Sequence, residues 1–186
     1  MIAYIKGTVF EKTERSAIIL TNNIGYEVFL NLRDLQKIEK NSQQEFFIYS
    51  YIRQESFDLY GFQNLSAIDL FKKLLLVSGV GPKSAINILG LAEIDDLKKA
   101  ITSGDPSFFQ KVSGVGKKTS ERIVVELKEK FINDISNIAG AIGGDRQVVE
   151  ALLSLGYKEK EAMEMIKKLQ GNEPDLSAKI KKVLQN

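Results

Sequence analysis

The chain has no cysteine and no histidine among its 186 residues. Without thiols there is no disulfide, no cysteine nucleophile and no thiolate metal site. Without imidazole the commonest general base, the Ser-His-Asp arrangement and most zinc chemistry are excluded. No run of eighteen apolar residues occurs, and Met1 is not followed by a basic stretch and an apolar core. Neither a membrane span nor a signal peptide is therefore expected, and a soluble protein of the cytoplasm is. Charge of one sign is also scarce: the net charge is only +2, too little to announce nucleic acid by itself.

What is present is enough for a folded chain. Hydrophobic residues make up 44% and charged residues 27%, the balance of a globular protein of one to three small domains. The charge is unevenly spread. Residues 1–70 hold 7 Lys+Arg against 9 Asp+Glu, or −2; residues 71–132 hold 11 against 7, or +4; residues 133–186 hold 8 against 8, or zero. Positive charge collected in a middle segment is where a phosphate footprint would lie, although an ordinary solvated helical face has the same composition.

The pattern changes along the chain. Ile2, Tyr4 and, past Gly7, Val9 mark a first strand, and Ala17-Ile18-Ile19-Leu20 a second. Tyr26, Val28 and Leu30 alternate in a third after the turn signal Asn22-Asn23-Ile24-Gly25. Leu32 to Ile38 reads as a short helix, Phe46 to Ile52 as a fourth strand, and Phe57 to Phe62 as a fifth, joined by the polar turn Arg53-Gln54-Glu55-Ser56. Five strands with one helix before the fourth predict an OB-type barrel over residues 1–63, with an SH3-like barrel as competitor.

Residues 64–132 read as all-α. Ser66 and Asp69 predict a capping pair for a helix from Ile68 to Val77, and Pro82 to Gly90 bounds a second. Asp95 to Ser103 forms a third, Asp105 or Ser107 begins a fourth, and Lys117 to Phe131 forms a last helix burying Ile123, Val124, Leu127 and Phe131. Residues 133–144, ending Gly140-Ala141-Ile142-Gly143-Gly144, read as a flexible linker. Residues 145–186 read as a three-helix bundle lined by Val148, Val149, Leu152 and Leu153, then Ala162, Met163, Ile166 and Leu169, then Leu176, Ile180, Val183 and Leu184. The fold class is thus a multi-domain α+β chain.

The middle segment carries one short motif twice. Ser78-Gly79-Val80-Gly81-Pro82-Lys83 returns thirty-five residues later as Ser113-Gly114-Val115-Gly116-Lys117-Lys118, with Val77 matching Val112 and Ile88 matching Ile123. Each copy lies between an apolar helical run and a new helix start, the layout of a helix-hairpin-helix. Glycines permit the sharp turn and a close approach to the backbone. The first N–H groups of the following helix have no intrahelical partner and can face an anion, with a lysine one short step away. The expected phosphate-contacting residues are Gly79, Val80, Gly81, Lys83 and Ser84 in the first copy. In the second they are Gly114, Val115, Gly116, Lys117, Lys118 and Thr119. One such turn could be glycine for packing alone; two copies keeping the lysine favour phosphate binding. Such clamping positions a protein on DNA without reading bases.

Other constellations weigh less. Gly116-Lys117-Lys118-Thr119 resembles the end of a P-loop, but Lys118 separates Gly-Lys from Thr119, Lys111 stands where a glycine is needed, and a helix precedes it. ATP binding, and with it any cofactor or metal, is not expected. Glu55 with Asp58, or Asp95 with Asp96, could hold Mg²⁺, but paired acids at a helix start also simply suit its dipole. Lys118 stands where a helix-hairpin-helix DNA glycosylase or lyase would place a Schiff-base lysine, with Asp134 as the nearby acid. A generic interaction scaffold is a further alternative.

With Leu59-Tyr60-Gly61-Phe62 closing the barrel, the two hairpins, and Gly114 to Thr119 running into Glu121-Arg122-Ile123 and Glu126, essentially the whole chain resembles the RuvA family. That resemblance implies a non-catalytic subunit that binds Holliday (four-way) junction DNA in homologous recombination, DNA repair and the SOS response to DNA damage. It implies a homotetramer, or an octamer on DNA, assembled through the barrel. It also implies recruitment of the RuvB ATPase by residues within Asp145 to Asn186, and the RuvC resolvase as a partner in a larger complex. The family carries an acidic pin, two adjacent acids after an arginine; here Glu55 keeps one and Gln54 replaces the other.

Overall fold

A computed structural model of the chain describes residues 1–139, 145–158, 161–162 and 164–165. The predicted Gly140 to Gly144 linker end, most of the second bundle helix and all of the third lie outside the described residues.

The amino-terminal part is a closed five-stranded barrel: β1 (Tyr4–Lys12), β2 (Ser16–Thr21), β3 (Ile24–Phe29), α1 (Leu32–Lys37), β4 (Gln43–Ile52) and β5 (Phe57–Phe62). The strand order is β1-β2-β3-β5-β4, and β1 pairs with β4 to close it. All pairings are antiparallel except β3 with β5, which pair in parallel through Val28 with Leu59 and Phe29 with Tyr60. This is the OB order, with its helix between β3 and β4. Asn22 and Asn23 make the β2–β3 turn with φ of 47° and 65°, the left-handed pair that matches strand twist and that asparagine tolerates. Val9, Ala17, Ile19, Val28 and Phe46 fill the barrel with no exposed surface.

Ile5 and Val9 point inward, whereas Tyr4 is 48% exposed and lies edge-on to Phe47 across the strand pair. Tyr4 and Val9 have opposite parity, so a period of two cannot bury both.

α2 (Leu65–Leu75) follows the barrel and α3 (Pro82–Leu89) comes after the first hairpin. Asn64, not Ser66, caps α2: its side chain accepts from the Ala67 N–H at 2.9 Å. Asparagine at the cap position outcompetes a serine already inside the first turn. Phe71 of α2 is fully buried, with ring centroids 4.8 Å from Phe62, 5.3 Å from Tyr60 and 5.4 Å from Tyr49. Such aromatic contacts contribute about 0.5–1.5 kcal/mol each beyond area burial, and they fasten α2 to the barrel. One compact unit accordingly comprises Met1–Leu76 with Val80–Ala92.

The other unit takes in Val77–Gly79 and the chain from Glu93 onward. It contains α4 (Ile94–Ser103), a 3₁₀ segment (Pro106–Lys111), α5 (Lys117–Ala139) and α6 (Asp145–Ser154). Leu97, Ile101, Phe109, Ile123 and Leu127 are fully buried in it, and Val124 and Phe131 nearly so. The predicted fourth helix is 3₁₀ because Asp105 caps a single short run, accepting from the Ser107 N–H at 2.9 Å, and Val112 ends it in extended conformation. α5 passes Phe131 and runs to Ala139, into the stretch read as linker. Small polar residues each cost a helix only a few tenths of a kcal/mol, whereas Gly140 is the first true breaker. On α6, Val148 and Leu152 are buried as expected, but Leu153 is 41% exposed, while Ala151 and, just past the helix, Leu155 are buried. No helix among the described residues is long and apolar enough to cross a membrane.

Candidate nucleic-acid interface

The two hairpins repeat each other in conformation as well as in sequence. In the first, Val77 and Val80 are buried while Ser78, Gly79 and Gly81 are exposed. In the second, Val112 and Val115 are buried while Ser113, Gly114 and Gly116 are exposed. The valine side chains of both turns are turned away from solvent. Gly79 has φ 89° and Gly114 φ 86°, a left-handed backbone that side chains with a Cβ disfavour. Val80 and Val115 therefore offer a ligand only their backbone, since their side chains face inward.

Gly81 and Gly116 lead directly into α3 and α5. The Gly81 carbonyl accepts from the Ala85 N–H at 2.9 Å, and the Gly116 carbonyl from the Ser120 N–H at 2.9 Å. A Cβ added at either glycine would meet nothing within 4 Å. Protein packing does not require glycine there; space outside the helix start is kept open. Into that space point the first N–H groups of each helix, the partial positive end of its dipole. Pro82 is the first residue of α3, where its missing N–H costs nothing. Lys83, Lys117 and Lys118 are exposed and make no side-chain ion pair among the described residues, so their charge is free for an anion.

Ser84 and Thr119, the matching residues of the two copies, are half-buried. Thr119 faces back to the first hairpin: a Cβ built on Gly79 would lie 3.5 Å from its Oγ1. Beside it, Arg122 Nη1 donates to Ser78 Oγ at 3.3 Å. The motif spacing gave no sign of this contact, which joins residues forty-four apart.

The acidic-pin candidate sits at the tip of the β4–β5 hairpin. The Arg53 N–H donates to the Ser56 carbonyl at 2.8 Å, and Gln54 and Glu55 are exposed. Arg53 turns away from them: its guanidinium lies 4.7 Å over the Tyr51 ring and Nη2 donates to the Tyr51 hydroxyl at 2.5 Å. That bond holds the guanidinium above its ordinary pKa. Glu55 is thus left without an arginine bonded to it at the tip.

Asp95 and Asp96 lie in the first turn of α4. Asp95 is a packing surface, because Gly156 approaches so closely that a Cβ there would stand 2.8 Å from its Cα, Cβ and carbonyl oxygen.

A match to known families decides what this arrangement belongs to. Residues 1–61 match the description "RuvA N terminal domain", residues 71–129 "SAM-like Helix-hairpin-helix tandem", and residues 146–186 "RuvA, C-terminal domain". The chain belongs to the RuvA family. Among its RuvA relatives, that of Oleidesulfovibrio alaskensis is 36% identical over 184 residues, covering 95% of this chain and 92% of its own length. That of Thermodesulfovibrio yellowstonii is 34% identical over 189 residues, covering 99% and 95%. That of Deinococcus radiodurans is 35% identical over 189 residues, covering 96% and 94%. Each is named a Holliday junction branch migration complex subunit RuvA. The barrel, the tandem hairpins and the carboxy-terminal region of this chain fall in the RuvA order.

Proposed function

We propose that the chain binds four-way junction DNA through phosphates and serves, without catalysis of its own, as the junction-holding subunit of a branch migration complex. The observation that carries this is the doubled, open helix start: Gly81 and Gly116 with nothing within 4 Å of a Cβ, each followed by exposed lysine. A phosphate fits such a start, and phosphate contacts recognise shape and not sequence. Membership of the RuvA family favours this reading over a Lys118 glycosylase or lyase and over a generic scaffold.

In this reading the barrel assembles a homotetramer in the cytoplasm, four copies meeting the four arms of the junction with matching symmetry. A second tetramer can join on DNA. Residues within Asp145 to Asn186 recruit the RuvB ATPase, which supplies the motor, and the RuvC resolvase meets the same assembly. Glu55 from each copy repels phosphates from the crossover, and with Gln54 neutral it is the only acid left in the pin motif.

Competition binding at one salt concentration tests the function. Two junctions of unrelated sequence should be bound alike and both preferred to linear duplex. Glu55→Lys should tighten duplex binding and shrink that preference. Equal affinity of the unaltered protein for duplex and junction would contradict the reading; unchanged preference in Glu55→Lys would remove the pin from this residue.

A further inference from the structure

We propose that Arg122 is a positioning residue for the first hairpin, although it belongs to the helix of the second. The Ser78-Gly79 half of the first turn is part of the compact unit that holds α5. Two contacts from the start of α5 meet it there. Thr119 covers the left-handed Gly79, its Oγ1 3.5 Å from where a Cβ would be. Arg122, one helical turn further on, donates from Nη1 to Ser78 Oγ at 3.3 Å. Residues three apart lie on one helix face, so the two side chains form a single clip over the turn.

The clip matters because Gly79 is the conformational pivot of the hairpin, with φ 89°, and it directly precedes the Val80-Gly81 backbone that leads into α3. A glycine pivot is free to move unless its neighbours hold it. Arg122 is well suited to hold it, because a planar guanidinium spends one N–H on the serine and keeps its direction, which an ammonium on a flexible stem does not. The repeat does not supply a second clip of this chemistry. Thirty-five residues before Arg122 stands Asn87, and before Thr119 stands Ser84. The first hairpin is therefore held from outside its own repeat.

This role rests on the phosphate-binding reading of the hairpins, and its test separates the two. Junction affinity is measured for the full chain and for Arg122→Ala, Ser78→Ala, Lys83→Ala and Lys118→Ala, singly and in pairs. Ser78→Ala removes the acceptor without changing charge, and should weaken junction binding about three- to tenfold, the worth of one hydrogen bond, with the salt slope unchanged. Arg122→Ala should add nothing to Ser78→Ala. It should also be non-additive with Lys83→Ala in the first hairpin yet additive with Lys118→Ala on its own helix. Arg122→Lys should not restore affinity. A direct phosphate contact by Arg122 would instead lower the salt slope by about one, add to Ser78→Ala, and overturn the positioning role. If Arg122→Ala unfolds, Ser78→Ala paired with each lysine variant decides between the same two outcomes. Loss of junction preference in the unaltered protein would defeat the functional reading itself, a result distinct from any of these.

Discussion

Gly114 and Gly116 stand two residues apart in one turn and are glycine for different reasons. Gly114 has φ 86°, so alanine there is strained and should cost about 1–2 kcal/mol, read as a lower Tm. Gly116 has only open space beside it. Serine fits that space and is a good residue before a helix, so Gly116→Ser should leave Tm unchanged. Its side chain would nevertheless fill the room that the proposed phosphate needs, and its hydroxyl would take a helix N–H that such a phosphate would use. Junction binding should fall severalfold, and a Gly116→Ser protein that binds as before would mean that no phosphate sits there. The glycines and lysines were legible from sequence because the motif repeats. The Arg122–Ser78 bond was not, because no local pattern links residues that only tertiary packing brings together.

At the scale of elements, period-two alternation and turn residues located all five strands, and the helix before the fourth strand pointed to the barrel. Which face a residue takes is where local pattern underdetermines the outcome. Tyr4 is apolar enough for either face, and its pairing with Phe47 across the strands decides for the outer one. Leu153 is exposed, while Ala151 on α6 and Leu155 just after it are buried, a choice set by what the segment packs against. That partner is α4. Lys98 Nζ donates to the Ser154 carbonyl at 2.8 Å, and Lys99 pairs with Glu161 at 3.6 Å. Gly156, with φ 89°, lies against the Asp95 backbone. Its glycine is required twice over, by conformation and by space. Gly156→Ala should therefore loosen the segment that follows α6 from α4: amide exchange should speed up in residues 94–103 and 154–158 and stay unchanged in the barrel. Unaltered exchange across α4 would show that the packing does not depend on this approach.

For the whole molecule, the proposed function divides labour along the chain: barrel for assembly, hairpins for phosphates, carboxy-terminal region for the motor. A chain ending at Ala139 keeps the barrel and both hairpins. It should still bind junctions, with some loss of stability because Leu152 and Leu155 no longer cover their neighbours, and it should fail to stimulate branch migration by the RuvB ATPase. Normal stimulation would move the motor site out of Asp145 to Asn186. The central claim, that each hairpin grips DNA through phosphate, is tested most directly by the salt dependence of junction affinity for the unaltered protein, Lys83→Ala and Lys118→Ala. Removing one phosphate contact should reduce the slope of log affinity against log salt by about 0.9, for every junction sequence alike. A slope that stays fixed while base preference changes would contradict the phosphate grip.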